Sequence, residues 1–148
     1  MAPIVESIEI ARRPEDVFAY VTDPGHLPDW QESVVSVRRE REGPVVAGSR
    51  VVVTRRVGRR NRAMTIELSE LNPPNSWAVR GVDGPIRGMV QGTVEPLDNG
   101  ERSRVTINLD FEGHGIGKLL VPLVVRRQAA SEVPRNQQKL KERLESGT

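Results

Sequence analysis

No cysteine occurs among the 148 residues, which excludes disulfides, thiolate nucleophiles and thiolate-bound metals together and fits a reducing, cytoplasmic compartment. Aromatic residues are almost as scarce. Two Trp, two Phe and one Tyr make up 3% of the chain, so few large rings are available to plug an interior. Histidine occurs only at His26 and His114, a thin basis for a metal site, and no metal or organic cofactor is expected. No apolar run approaches the roughly 20 residues that cross a bilayer; the longest near the end is Leu119 to Val125. The opening stretch is interrupted by Glu6 and Glu9 and has no basic region before an apolar core, so neither membrane insertion nor a cleaved leader is expected. A large charge of one sign is missing too. With 22 basic against 20 acidic residues the formal net charge is +2, and a pI near 9.5 then says little for nucleic acid as a partner. Gly-x-Ser-x-Gly nucleophile elbows and glycine-rich dinucleotide or phosphate loops are absent as well.

What is present suits one domain over residues 1–148. Hydrophobic residues make up 36%, enough for a single core in a chain too short for two. Ile4, Ile8 and Ile10 fall on one face at period two, which predicts a strand, and Glu6 shares that face. Pro14 opens a short helix with Glu15 and Asp16 in its first turn and Val17, Phe18 and Val21 as its apolar stripe. Asp23-Pro24-Gly25 ends that helix, and a second short turn of helix or loop spans His26 to Trp30. From about Val34 to Phe111, turn chemistry at Gly43-Pro44, Gly58, Asn72-Pro73-Pro74-Asn75 and Asp98-Asn99-Gly100 divides a meander of strands. The last is the clearest: Val105, Ile107, Leu109 and Phe111 alternate with Arg104, Thr106, Asn108 and Asp110. Gly113, Gly115 and Gly117 mark the exit from the sheet. From Lys118 to Glu145 the period turns helical, with Leu123, Ala130, Val133, Leu140 and Leu144 as the apolar stripe and Pro134 as a predicted kink. The expected class is α+β: a curved antiparallel sheet of about six or seven strands, wrapped around a long C-terminal helix, with two short helices after the first strand.

This order of elements is that of the helix-grip fold, and local residues strengthen the likeness. The segment IEIARRPEDVFAYVTDPGHLPDW resembles the opening of START-like lipid-transfer domains, plant pathogenesis-related ligand carriers and bacterial polyketide cyclase/dehydrase-like proteins. There a first strand runs into a Pro-Glu-x-Val-Phe/Trp helix, then an Asp-Pro, then a Trp; here these are Pro14, Glu15, Val17, Phe18, Asp23, Pro24 and Trp30. Gly48 before a strand, Leu71-Asn72-Pro73-Pro74 before Trp77, and the closing VPRNQQKLKERLE are similar to the bacterial branch, so the resemblance runs over nearly the whole chain. It implies an internal cavity between sheet and helix, and a role in holding or converting a hydrophobic small molecule.

The residues expected to line such a cavity are Trp30, Met64, Ile66, Trp77, Met89, Leu119, Leu120 and Leu123, each of which serves equally well as plain core. Catalysis would need a polar group among them, and the candidates are Glu6, His26, Tyr20 and Arg80. The run RRVGRRNR places Arg55, Arg56, Arg59, Arg60 and Arg62 around a Gly58 turn, which suits either a solvated hairpin or a grip on phosphates. No aromatic interleaves with it, so stacking on bases is unsupported. Binding of an apolar or amphipathic molecule is favoured over catalysis, a cyclase or dehydratase comes next, and an RNA or protein interaction through the arginines comes third. A homodimer is compatible with the sequence.

Overall fold

In the computed structural model, which describes residues 3–147, β1 (Ile4–Ile10) leads into α1 (Pro14–Val21), a 3-10 turn (Pro24–His26) and α2 (Leu27–Trp30). Six further strands follow as a continuous meander: β2 (Val34–Arg39), β3 (Arg50–Val57), β4 (Arg60–Asn72), β5 (Ser76–Gly81), β6 (Ile86–Leu97) and β7 (Arg102–Gly113). Every pairing is antiparallel and the order across the sheet is β1-β7-β6-β5-β4-β3-β2. The two edge strands are therefore the first two in sequence. The chain has to cross the sheet between them, and α1 and α2 make that crossing.

Turn residues fix the two hairpins that matter most. Val57 pairs with Arg60, so β3 and β4 are joined by Gly58 and Arg59 alone, with Gly58 at a φ of 62° that an L side chain resists. Between β6 and β7 the Asp98-Asn99-Gly100 signal is realised as a short 3-10 turn in which all three residues have positive φ. The period-two patterns decide the faces. Val51 and Val53 of β3, Leu68 of β4, Trp77 of β5, Val94 of β6 and Val105 and Ile107 of β7 all point inward and are buried.

The C-terminal helix runs 29 residues, from α3 (Gly117–Leu120) through one π turn (Val121–Val125) into α4 (Arg126–Glu145). At ~1.5 Å per residue it crosses the whole sheet. The helix continues through Pro134, and the change of hydrogen-bond register falls instead at the π turn, which contains Pro122. Its inner stripe differs from the one the apolar pattern predicts. Ala129, Glu132, Val133, Asn136, Gln137, Leu140 and Leu144 are buried, while Leu123 and Ala130 face outward. Polar residues take inward positions because they tie the helix down. Gln137 Nε2 donates to the Glu6 carbonyl in β1 (3.0 Å), and Asn136 Oδ1 accepts the Glu32 N–H (2.9 Å) from the segment after α2.

The buried side chains form two clusters. The larger joins α1, α2, the sheet centre and the end of α4, with Phe18 and Trp77 in edge-to-face contact at 6.1 Å. The smaller consists of Ile86, Val121 and Val125, with Val57, Phe111 and Leu120 against it.

Candidate functional site

Between the two clusters lies a cavity of about 210 Å³, with walls drawn from both. The sheet supplies Met64 and Ile66 from β4, Trp77 and Val79 from β5, Val90 from β6, and Ile107, Leu109 and Phe111 from β7. Trp30 closes it from α2, and Val125, Ala129 and Val133 from the C-terminal helix. The inward face of the sheet forms this wall because β3, β6 and β7 and the stretch of β4 up to Leu68 keep the period-two alternation, which is shifted only beyond it at Leu68/Glu70 and at Val34/Ser36. Gly88 leaves space where a larger side chain would intrude.

One corner of the cavity is polar. Arg55, at an inward position of β3, donates from Nη1 to Ser33 Oγ (3.2 Å) and from Nη2 to Gln31 Oε1. Facing it from α4 is Glu132, only 8% exposed, whose carboxylate accepts from Asn136 Nδ2 at 3.4 Å. Burial pulls the Arg55 guanidinium below its ordinary value, and the Glu132 charge works in the opposite direction. The indole N–H of Trp30, a residue 5% exposed, has no hydrogen-bond partner among the described residues. An unpaired buried donor costs about 1–3 kcal/mol.

Of the eight residues expected to line a cavity, the structure brings Trp30, Met64, Ile66 and Trp77 together on it. Met89 sits on the outward face of β6 at 42% exposure, Leu119 and Leu123 face outward from the helix, and Leu120 packs on the smaller cluster behind the wall. None of Glu6, His26, Tyr20 and Arg80 lines the cavity. Glu6 takes the inner face of β1, away from the cavity, and lends its backbone carbonyl to Gln137. His26 stacks on Tyr20 at 4.1 Å, and both reach Asp29: His26 Nδ1 lies 2.9 Å and the Tyr20 hydroxyl 3.4 Å from Oδ2. Burial first, and the Asp29 charge second, push the Tyr20 phenol above its ordinary range, so it stays protonated. Arg80 lies on the outer face of the sheet and bonds Glu67 Oε1 at 3.0 Å.

The histidines have no partner in common. His114 stands beside Glu112 at 2.9 Å, and among the described residues no group of three His, Asp or Glu side chains is arranged to hold a metal. The arginine run is split rather than gathered: Arg55 turns inward, whereas Arg56, Arg59 and Arg60 are exposed around the hairpin tip.

A curved antiparallel sheet closed over a long C-terminal helix, with an apolar cavity between them, defines a START-like, helix-grip ligand-binding fold. The chain belongs to the polyketide cyclase / dehydrase and lipid transport family, whose model matches residues 1–145. Solved structures agree on the fold. A protein of Thermus thermophilus is 23% identical with a TM-score of 0.78, each chain being covered to 99%. A START superfamily protein of Mycobacterium smegmatis is 12% identical with a TM-score of 0.79, each chain covered in full. The Zhui aromatase/cyclase of a Streptomyces species is 16% identical with a TM-score of 0.74, over 96% of this chain and 94% of that one. By sequence, no curated protein matches the chain.

Proposed function

We propose that the chain is a single helix-grip domain that binds a small amphipathic molecule, of lipid, polyketide or isoprenoid-like chemistry, in this cavity. The observation that carries the reading is one apolar enclosure with one polar corner. The ligand's apolar body contacts Met64, Ile66, Trp77 and Val90, stabilised by roughly 25 cal/mol per Å² removed from water. Its polar end, a carboxylate, phenol or carbonyl oxygen, accepts a hydrogen bond at this corner from Arg55, which already holds Ser33 and Gln31, and the unpartnered indole N–H of Trp30 is a second donor on the same wall. Size narrows the class further. About 210 Å³ is below the roughly 300–1,000 Å³ of sites that enclose drug-sized molecules, so the ligand is a compact ring system or a short chain, not a two-chain lipid.

Native mass spectrometry of freshly purified protein tests this, because a co-purified mass names the ligand class. Both tryptophans line the cavity, so their fluorescence reports titration with medium-chain acids and bicyclic phenols. If no mass co-purifies and no member of such a panel changes the emission or raises the melting temperature, the reading fails.

A cyclase or dehydratase is the second reading, and the observation that favours it is Glu132. It is a buried carboxylate on the cavity wall, opposite Arg55, placed where it can exchange a proton with an enclosed reactive chain. The discriminating result is ring formation in a bound polyketone, read by its ultraviolet absorbance, or loss of water, read as a mass lower by one H2O, on incubation, lost in Glu132→Gln while binding persists. A cytoplasmic location fits either reading.

A further inference from the structure

We infer that the start of the C-terminal helix, together with the β3–β4 hairpin, docks on an anionic lipid surface. Ile116, Leu119 and Leu123 are 58%, 64% and 66% exposed, and their spacing of three and four residues puts them on one stripe pointing away from the core. The inward stripe of the same segment, Val121 and Val125, is buried, so these turns are apolar on both sides. An ordinary surface helix presents polar groups outward; here Lys118 is the one exposed charge before Arg127, and Arg126 turns in to pair with Asp110.

The charges beside the stripe point to the occupant. From Ile116 to Arg127 the chain carries no carboxylate, and Lys118 and Arg127 are exposed. The hairpin tip is pinned to the same stretch. The Gly58 N–H donates to Gln128 Oε1 (2.9 Å), Gln128 Nε2 donates to the Arg56 carbonyl (2.7 Å), and a Cβ at Gly58 would meet Val124 at 3.6 Å. From Val57 to Arg62 there is again no carboxylate, and exposed Arg59 and Arg60 stand at the tip. Three outward aliphatic side chains flanked by Arg59, Arg60, Lys118 and Arg127, which form no ion pair with a carboxylate among the described residues, complement a layer with apolar interior and negative headgroups. A second copy of the chain fits worse, since apposing the stripe on itself about a twofold axis brings like charges together. No described helix is long and apolar enough to cross a membrane, and docking of this kind lies in the interface without crossing it.

Co-sedimentation with vesicles tests the proposal, and it does so whether or not the cavity holds a ligand. The protein is expected to pellet with phosphatidylcholine vesicles containing about one quarter phosphatidylglycerol, not with phosphatidylcholine alone, and to be released by about 0.5 M salt. The pair Leu119→Ser and Leu123→Ser should lower the partition at least about tenfold, as should Arg59→Gln with Arg60→Gln, each with an unchanged melting temperature because these side chains are exposed. Should the leucine pair perturb folding, the arginine pair alone decides. Absence of binding to anionic vesicles, equal binding to neutral ones, or partition unaffected by the arginine pair overturns the proposal. So does a dimer in sedimentation equilibrium that the leucine pair dissociates, which would assign the stripe to a second copy.

Discussion

Arg55 is where a single residue changes the chemistry of the whole cavity. Its guanidinium and the Glu132 carboxylate are both held away from bulk water, and each lessens the cost of burying the other. Removing one leaves the other uncompensated. Arg55→Met alone is expected to lower stability by about 3–5 kcal/mol, whereas Arg55→Met with Glu132→Gln should recover much of that loss. Denaturant titrations of the two single variants and the double variant measure the coupling, and purely additive effects would show that the two charges do not sense each other. Arg55 was legible in the sequence through parity: Val51, Val53, Arg55 and Val57 share one face of β3, and a strand that turns its first two such residues inward turns the third inward too. The density of neighbouring arginines hides that signal, because RRVGRRNR reads as one solvated cluster. The same parity places Met89 outside, since Ile86, Gly88 and Val90 are the inward residues of β6. Glu132, Asn136 and Gln137 leave no such trace. A helical stripe is recognised by its apolar members, and these three are inward for the hydrogen bonds and charge they offer to segments distant in sequence.

At the level of elements, sheet and helix were legible because period two and period 3.6 are written in long stretches, as in β7 and α4. Close approaches between neighbouring strands were not, because they depend on which residues register places opposite each other. Trp77 of β5 faces Gly92 of β6, and a Cβ on Gly92 would lie 2.2 Å from the indole ring. Gly92→Ala must therefore displace a ring that packs on Phe18 and lines the cavity, and a loss of about 1–3 kcal/mol with altered tryptophan emission is expected. An unchanged melting temperature would mean that the sheet opens freely at this point. Hydrogen bonds set the acid stability of the β4–β6 region. Asp83, in the loop between β5 and β6, accepts the Thr65 N–H (2.7 Å) and the Thr65 hydroxyl (2.8 Å), and these bonds hold its carboxyl below the usual carboxylate range. A carboxylate whose pKa is lower folded than unfolded adds stability above its unfolded value, near 3.9, and loses it as the pH falls through the folded value. Asp83→Asn should therefore cost under about 1 kcal/mol near neutrality, with the gap to the parent narrowing below about pH 4. A urea midpoint difference that stays constant from pH 7 to about pH 2.5 would rule this out.

Across the whole molecule, the unfilled space between sheet and helix is a stability cost that the proposed binding role would account for. Interiors ordinarily reach crystal-like density, and leaving space unfilled forgoes roughly 24 cal/mol per Å³. Here the long helix passes over the sheet and the core divides into two clusters, with the gap between them bordered by Ala129, the smallest inward residue of the middle of α4. A larger aliphatic side chain at that position would project into the space that Ala129 borders, and Leu is a good helix former. If the space is a binding site, stability and binding must respond in opposite directions. Ala129→Leu is expected to raise the melting point of the ligand-free protein by an amount equivalent to about 1–2 kcal/mol, while abolishing both the co-purified mass and the tryptophan response to added ligand. Stability gained with binding retained would place the ligand elsewhere. Stability lost would show that the helix cannot accept volume at Ala129 and that the wall there is already closed.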